Sequence, residues 1–299
     1  RQLLVRYRCE HPPDLIHTQW RDMLSLGRWL AKRLRRPYVV TIHDYLGPQD
    51  SFKFDFRWGR KIIAVSESVK QELLEQTNLP RELVVVIHSG VPVGLAERGP
   101  PVLDEDHVAV VGTAGPLEAA KGLDYFLHAA RIVAATRPDV QFLIAGAGPE
   151  ESRLRRMAGE LKLTGQVTFV PNVYDFSYSL EAMDIFCLPA LKQGLGTIML
   201  EAMARGKPVI ATRAGGVDSV VAEGKTGLLV RPSDSQDLAC RILALRSDPL
   251  KARMMGLCGR DIVNEHFRID TMVALTAQLY REVVAEESAE INKAAETGA

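Results

Sequence analysis

Pro189-Ala-Leu-Lys-Gln-Gly-Leu-Gly-Thr-Ile-Met-Leu-Glu-Ala-Met-Ala-Arg-Gly-Lys-Pro-Val-Ile-Ala-Thr-Arg-Ala-Gly-Gly216 says more about this 299-residue chain than the rest of it together. The run reads as a strand end, a glycine loop, a helix near 197–205, a buried strand over 208–212 and a second glycine loop. Gly194 and Gly196 free backbone N–H groups at the start of the helix, where partial positive charge collects. The helix carries Glu201 within its first two turns, close to whatever the loop holds. Lys207-Pro208 ends the helix. The strand that follows delivers Gly215-Gly216 to the carboxyl edge of a sheet, where doubly wound folds bind ligands. Such a crevice suits a polyhydroxyl ligand carrying phosphate.

Outward from this stretch, short apolar runs alternate with helical patterns, the mark of parallel α/β sheets. In the first part the strands fall at 14–17, 38–43, 62–65 and 83–87, with helices around 20–35, 67–77 and 47–58. Ser66 and Ser68 stand where a helix N-cap belongs, and Glu67 and Glu72 suit the positive end of that helix. Residues 88–106 break the pattern with glycines, prolines and Asp104-Glu-Asp106, as an interdomain linker does. The second part offers strands at 107–112, 140–145, 167–170, 185–188, 208–212 and 227–230. Helices are expected near 121–135, 150–162, 176–182, 197–205, 234–247 and 249–265, with a short one at 217–222. A last amphipathic helix, 269–288, precedes a tail expected to fray from Ala289. The expectation is an α/β chain with two Rossmann-like domains. The first, incomplete at its N-terminus, covers 1–98; the second covers 104–265; 266–299 holds the last helix, expected to cross back to the first domain, and the tail.

Composition bounds the function. The hydrophobic share of 46% and charged share of 25% are those of an ordinary globular protein. Cys9, Cys187, Cys240 and Cys258 show no CxxC pair and no histidine at ligand spacing, so they read as reduced core residues of a cytoplasmic protein, and no metal site is expected. There is no apolar run of membrane-spanning length and no signal-peptide pattern. The net charge of zero hides an asymmetry: residues 1–100 hold 16 Lys/Arg against 11 Asp/Glu, and the remainder 21 against 26. Much of the excess lies in one expected helix, Arg21 to Arg36, where Arg28, Lys32, Arg33, Arg35 and Arg36 surround Trp29. Two readings stay open for it: a solvated face, or peripheral contact with anionic lipid or a phosphorylated acceptor. Nucleic acid fits poorly, because the domain is only mildly basic and aromatic residues do not interleave with the charge.

The stretch 189–216 resembles the family 4 (group 1) glycosyltransferases, retaining enzymes of the GT-B fold, whose signature is two glutamates separated by seven residues within a phrase like E-G-L/F-G-x-x-x-L-E-A-M-A-x-G-x-P-V-I-A-T-x-x-G-G. The resemblance covers nearly the whole chain. It implies a sugar nucleotide, UDP- or GDP-linked, as donor substrate, a glycan or lipid-linked acceptor of cell-surface polysaccharide assembly, and no cofactor or metal. Glu201 matches the second glutamate, which in the family holds the ribose hydroxyls. The first falls on Gln193, which keeps the length and hydrogen-bonding capacity but drops the charge. Gly194, Leu195, Gly196, Thr197, Gly215 and Gly216 complete the donor phrase. By the same resemblance, the family's opening strands and a glycine-rich loop would precede Arg1, and the last helix would cross back to the first domain as in GT-B enzymes.

Further segments carry chemistry. Lys121-Gly122 opens a helix, and a lysine there can place its ammonium on a diphosphate and stabilise the leaving nucleotide. The family phrase G-R-L-x-x-x-K-G includes an arginine that this chain lacks, since no arginine occurs from 112 to 120. Gly146-Ala-Gly148-Pro-Glu150 follows a strand and opens a helix; it reads either as a turn with a helix start or, by resemblance, as the lining of the donor cleft. Asn172 and Val173 fall where relatives hold the base through backbone atoms. In the first domain, His17 and His43 close parallel strands. Asp14-Leu-Ile-His17-Thr-Gln19 resembles the family phrase D-x-I-H-x-H, with Gln19 in place of the second histidine, which implies a role near the acceptor and donor sugar. A satisfied structural histidine is the competing reading for each. Gln193, Gln19 and the absent arginine also leave open a degenerate homologue that binds a sugar nucleotide or a partner without turnover. An epimerase on the same fold is disfavoured by the transferase-like glycine–glutamate phrase.

Overall fold

The computed structural model describes residues 13–47, 52–94, 107–171 and 175–297, with side chains to 289. The chain divides into two compact units, Arg1–Ser89 with Asp270–Ala299, and Gly90–Ile269.

The first unit is built on four parallel strands in the order β1-β2-β3-β4: Ile16–Thr18, Tyr38–Ile42, Gly59–Ala64 and Val84–Val86. Every residue of β2 is buried, as expected for an apolar run covered on both faces. Helix α1 (Leu24–Leu34), preceded by a single 3-10 turn at Arg21–Met23, connects β1 to β2. Helix α2 (Glu67–Gln76) starts where Ser66 Oγ accepts the Val69 N–H at 3.2 Å, the capping read from the sequence. The helix expected at 47–58 is absent over the described part, 52–58. There Asp55 makes a turn instead. Its carbonyl accepts from Trp58 N and Gly59 N, its carboxylate accepts from Arg57 N, and its own N–H donates to the buried Tyr38 hydroxyl at 2.9 Å. Phe54 packs on the Tyr38 ring.

The second unit holds six parallel strands: β5 (Val110–Ala114), β6 (Gln141–Ala145), β7 (Val167–Val170), β8 (Ile185–Leu188), β9 (Val209–Thr212) and β10 (Leu228–Val230). Their order is β10-β9-β8-β5-β6-β7, the doubly wound arrangement that reverses direction between β5 and β8. β5 begins three residues later than expected and runs further, because His107 Nε2 and Val110 N both engage the Asp184 carboxylate and Val108 is exposed. Helices α3 (Leu123–Thr136), α4 (Glu151–Glu160), α5 (Ser177–Glu181), α6 (Thr197–Ala204), α7 (Ser235–Ser247) and α8 (Pro249–His266) cover the sheet. The core is continuous from Val111 and Ile144 on the sheet to Phe126, Leu127 and Ile242 on the helices, with Phe126 edge-on to Phe142.

Helix α9 runs from Ile269 to Thr297, nine residues beyond the expected end at 288. The tail is rich in strong helix formers, and no glycine or proline interrupts it before Gly298. Leu279 and Met272 of this helix pack on Ile63 and Val85 of the first sheet and on Ile87, which follows β4.

Candidate active site

The carboxyl ends of β5 and β8 flank the point where the strand order reverses, the place where open α/β sheets leave a crevice. After β5 the chain passes through a 3-10 turn, Ala119–Lys121, and helix α3 begins at Leu123, two residues later than expected. Gly122 adopts φ +63°, and a Cβ there would lie 2.1 Å from the Pro189 carbonyl oxygen. The loop after β8 is thus pressed against the Lys121 turn, and Leu191 N donates to Ala120 O at 2.9 Å. Across this contact Lys121 Nζ donates to Gln193 Oε1 at 3.2 Å. Two residues singled out separately in the sequence meet at the switch point.

The glycine loops join the same edge. Gly216 N donates to Gly194 O at 2.8 Å, tying the loop after β9 to the loop after β8. Gly196 precedes α6 at φ +85°, a conformation that favours glycine, and Gly215 sits at φ +67°. Leu195 is buried in the core while Thr197 is exposed at the helix start. Glu201, one turn on, keeps 31% of its side chain exposed. Burial raises its carboxyl above the ordinary value; Arg205 opposes that shift and Asp175 adds to it. Among the described residues no hydrogen bond occupies its carboxylate oxygens.

Gly146 and Gly148 have a packing explanation. A Cβ on Gly146 would lie 1.9 Å from Gly115 O, and one on Gly148 would lie 2.4 Å from Leu117 O. The β5 and β6 loops run side by side, with Leu117 N donating to Ala147 O and Glu150 N to Leu117 O, each at 3.0 Å. Only glycine admits this approach, whatever the loops hold. Asn172 and Val173 lie outside the described residues.

His17 and His43 belong to the first unit. His17 sits within β1 and His43 directly follows β2. Both line a cavity of about 310 Å³ with Thr41, Ile63, Thr276 and Tyr280. Gln19 Nε2, which can only donate, reaches His17 Nδ1 at 3.1 Å, and the Tyr280 hydroxyl hydrogen-bonds to the same nitrogen. The ring proton therefore resides on Nε2 and faces Thr41 Oγ1 at 2.8 Å. Burial, helped by His43, holds the His17 pKa down at about 4, so the imidazole is neutral near pH 7. Burial also lowers the His43 pKa, and the ring lies against exposed Trp20 with centroids 4.6 Å apart.

Among the described residues no three His, Cys, Asp or Glu side chains group as a metal site, and no helix is long and apolar enough to cross a membrane. The expected linker residues Asp104 to Asp106 and Cys9 are outside the described residues. Of the remaining cysteines only Cys187 is a core residue; Cys240 is exposed and Cys258 half-buried, correcting the expectation that all are buried. The basic helix is shorter than Arg21–Arg36 suggested. Lys32, Arg33 and Arg35 are exposed, whereas Arg28 is half-buried.

Sequence reasoning missed Arg205 and Tyr280. Arg205-Gly206 reads locally as a charged helix end, and Tyr280 reads as one more apolar position of an amphipathic helix. The i,i+4 spacing of Glu201 and Arg205 was the local signal that could have paired them, whereas only the tertiary arrangement brings Glu181 to Arg205 or Tyr280 to His17.

Two parallel sheets of this construction define a class, the α/β proteins of GT-B architecture. Within that class, the model of Glycosyltransferase Family 4 matches residues 1–95 and that of Glycosyl transferases group 1 matches residues 101–261. The chain belongs to the group 1 glycosyltransferases. It is 36% identical over 178 residues to the GDP-mannose-dependent monoacylated alpha-(1-6)-phosphatidylinositol monomannoside mannosyltransferase of Corynebacterium glutamicum, a match spanning 56% of this chain and 45% of that protein. It is 25% identical over 294 residues to the N-acetyl-alpha-D-glucosaminyl L-malate synthase of Bacillus anthracis, covering 92% of this chain and 76% of the relative. The fold is similar to that of Anabaena HepE in complex with UDP and glucose. The TM-score is 0.82 at 24% identity, over 94% of this chain and 82% of that one.

Proposed function

We propose that the chain transfers a sugar from a nucleotide-diphospho-sugar to a glycan or lipid-linked acceptor with retention of anomeric configuration, in the assembly of a cell-surface polysaccharide. The observation that carries this reading is the meeting of Lys121 and Gln193 at the switch point, with Glu201 on the helix that leaves the same loop. In the proposed roles, the Lys121 ammonium faces the diphosphate, Gln193 the hydroxyls of the transferred sugar, and Glu201 the ribose diol. Gly196 and Thr197 lie at the helix start, where backbone N–H groups collect, and Gly194, Gly215-Gly216 and the 146–148 loop border the donor.

The chemistry needs little covalent work from the protein. The acceptor oxygen bonds to the anomeric carbon as that carbon's bond to the diphosphate oxygen breaks. The acceptor's proton passes to the departing phosphate, so no protein nucleophile is required. Positioning and neutralisation of the growing charge by Lys121 supply the rate. His17 and His43 are proposed on the acceptor side: both ring nitrogens of His17 already have partners, so it positions Thr41, Tyr280 and Gln19 there, and these groups with the His43 imidazole can hydrogen-bond an uncharged polar group. The relatives' names speak of GDP-mannose and of N-acetylglucosaminyl transfer, so both nucleotide classes belong in the test. Action at the cytoplasmic face of a membrane, touched through Lys32, Arg33 and Arg35, fits a lipid-linked acceptor.

The test is calorimetric titration with UDP- and GDP-sugars alongside release of free nucleotide with a lipid-linked glycan present. Binding with acceptor-dependent release supports transfer. Binding without turnover supports the degenerate homologue, a reading favoured by the neutral amide of Gln193 beside Lys121 and the lack of arginine from 112 to 120.

A further inference from the structure

Arg205 follows the last residue of α6 and is only 4% exposed, yet it reaches four polar groups on three residues. Its Nη1 donates to the Glu201 carbonyl oxygen at 3.0 Å and its Nη2 to Ser177 Oγ at 2.8 Å. The same guanidinium stands between two carboxylates: Nε is 3.5 Å from Glu181 Oε1, and Nη1 is 3.8 Å from Glu201 Oε2. The contact with Glu201 is too long for a hydrogen bond but close enough for charge–charge attraction, which water at the partly exposed carboxylate weakens without abolishing. That combination is specific. A bidentate arginine would occupy the carboxylate oxygens, whereas one held back at this distance supplies the field and leaves the lone pairs for an incoming diol.

We infer that Arg205 is the positioning residue of the donor site, shared between Glu181 and Glu201 so that Glu201 stays ionised and open to the ribose hydroxyls. The inference rests on the donor role proposed for Glu201. Among the described residues the charged groups that act on Glu201 are Arg205 and Asp175; Glu181 acts on it by drawing on the same guanidinium. Burial and Asp175 push the Glu201 carboxyl towards its protonated form and Arg205 opposes them. A protonated carboxyl loses one acceptor and presents a donor, so donor affinity falls as pH drops through the Glu201 pKa. Removing Arg205 moves that fall to higher pH. Removing the competing Glu181 charge moves it to lower pH, an opposite sign that simple damage to the fold does not produce.

The experiment measures the affinity of UDP-glucose and GDP-mannose by calorimetry from pH 4.5 to 8 for the unsubstituted chain, Arg205→Gln, Arg205→Lys, Glu181→Gln and Glu201→Ala, with thermal unfolding of each. Arg205→Gln is expected to weaken binding about tenfold at pH 7 and to raise the midpoint of the acid limb. Arg205→Lys restores that midpoint at least in part, and Glu181→Gln lowers it. Unchanged midpoints, or shifts of one sign in Arg205→Gln and Glu181→Gln, overturn the inference. Should Arg205→Gln not fold, the downward shift in Glu181→Gln decides alone. Wild-type affinity in Glu201→Ala, or no binding by the unsubstituted chain, removes the donor-site reading itself and this inference with it. Loss of binding in Glu201→Ala with no midpoint shift elsewhere removes only the role of Arg205.

Discussion

Lys121 and Gln193, 72 residues apart, are joined by a 3.2 Å hydrogen bond from ammonium to amide oxygen at the point where the second sheet reverses its strand order. The bond pre-positions a cation beside a neutral acceptor. Replacing the amide by a carboxylate puts a negative charge beside the lysine and the proposed sugar.

Gln193→Glu is therefore expected to raise turnover. A hydrogen bond to a charged group contributes roughly 1.5–3 kcal/mol against about 1 for a neutral pair, so the gain is about twofold to thirtyfold. The rate of nucleotide release with acceptor present reads it. A fall in rate would mean that the new ion pair holds Lys121 away from the diphosphate.

Glu201→Ala is expected to abolish donor binding while the thermal midpoint changes little, because the carboxylate is partly exposed and makes no hydrogen bond among the described residues. Titration with UDP and GDP sugars checks the first half and circular dichroism the second. Unchanged nucleotide affinity would sink the assignment.

Gly122→Ala should damage both stability and site. A left-handed backbone costs an L-residue about 1–2 kcal/mol, and the added Cβ would meet the Pro189 oxygen at 2.1 Å, a backbone atom that must move. Denaturant unfolding is expected to show a loss of more than about 2 kcal/mol. Donor affinity should fall with it, since the strained turn also carries Lys121. Wild-type stability in the variant would show that the two loops are not pressed together.

The depressed His17 pKa makes a signed pH prediction. The imidazole binds its proton near pH 6.5 when unfolded and near 4 when folded. Its contribution to stability is present above about pH 6.5 and is lost as pH falls towards 4, because the unfolded state then holds the extra proton. His43 acts in the same direction. Urea unfolding at pH 7 and pH 4.5 should show a smaller difference for His17→Gln than for the unsubstituted chain. An equal difference refutes it.

Along the basic helix and its C-cap the exposed basic residues are Lys32, Arg33 and Arg35, with Arg28 turned partly inward, so charge reversal belongs at those three. If they dock onto anionic lipid, each contributes about 1 kcal/mol near the surface and is screened by salt. Sedimentation with acidic vesicles should then capture the chain at low salt and release it at high salt, and the triple Glu variant should stay in solution with its sugar-nucleotide affinity intact. Failure of the unsubstituted chain to sediment at low salt discards the contact.

The sequence by itself determined the parallel α/β construction and the position of most strands, because buried strands are short apolar runs and the glycine loops that end them are local signals. Ser66 as a cap and Glu201 on a helix opened by Gly196 were legible for the same reason. The helix expected across 52–58 was not to be had locally: Asp55 spends its backbone and side chain on Tyr38, Arg57 and Gly59, and Tyr38 comes from another strand. Likewise β5 shifted because Asp184, far along the chain, takes up His107 and the Val110 N–H. Only the tertiary structure decided that Lys121 touches Gln193, that Arg205 is shared between Glu181 and Glu201, and that Tyr280 meets His17 across 263 residues. These pairings depend on strand order and on how far burial strips water from each charge. Both are properties of the packed chain, and no window of neighbouring residues contains them.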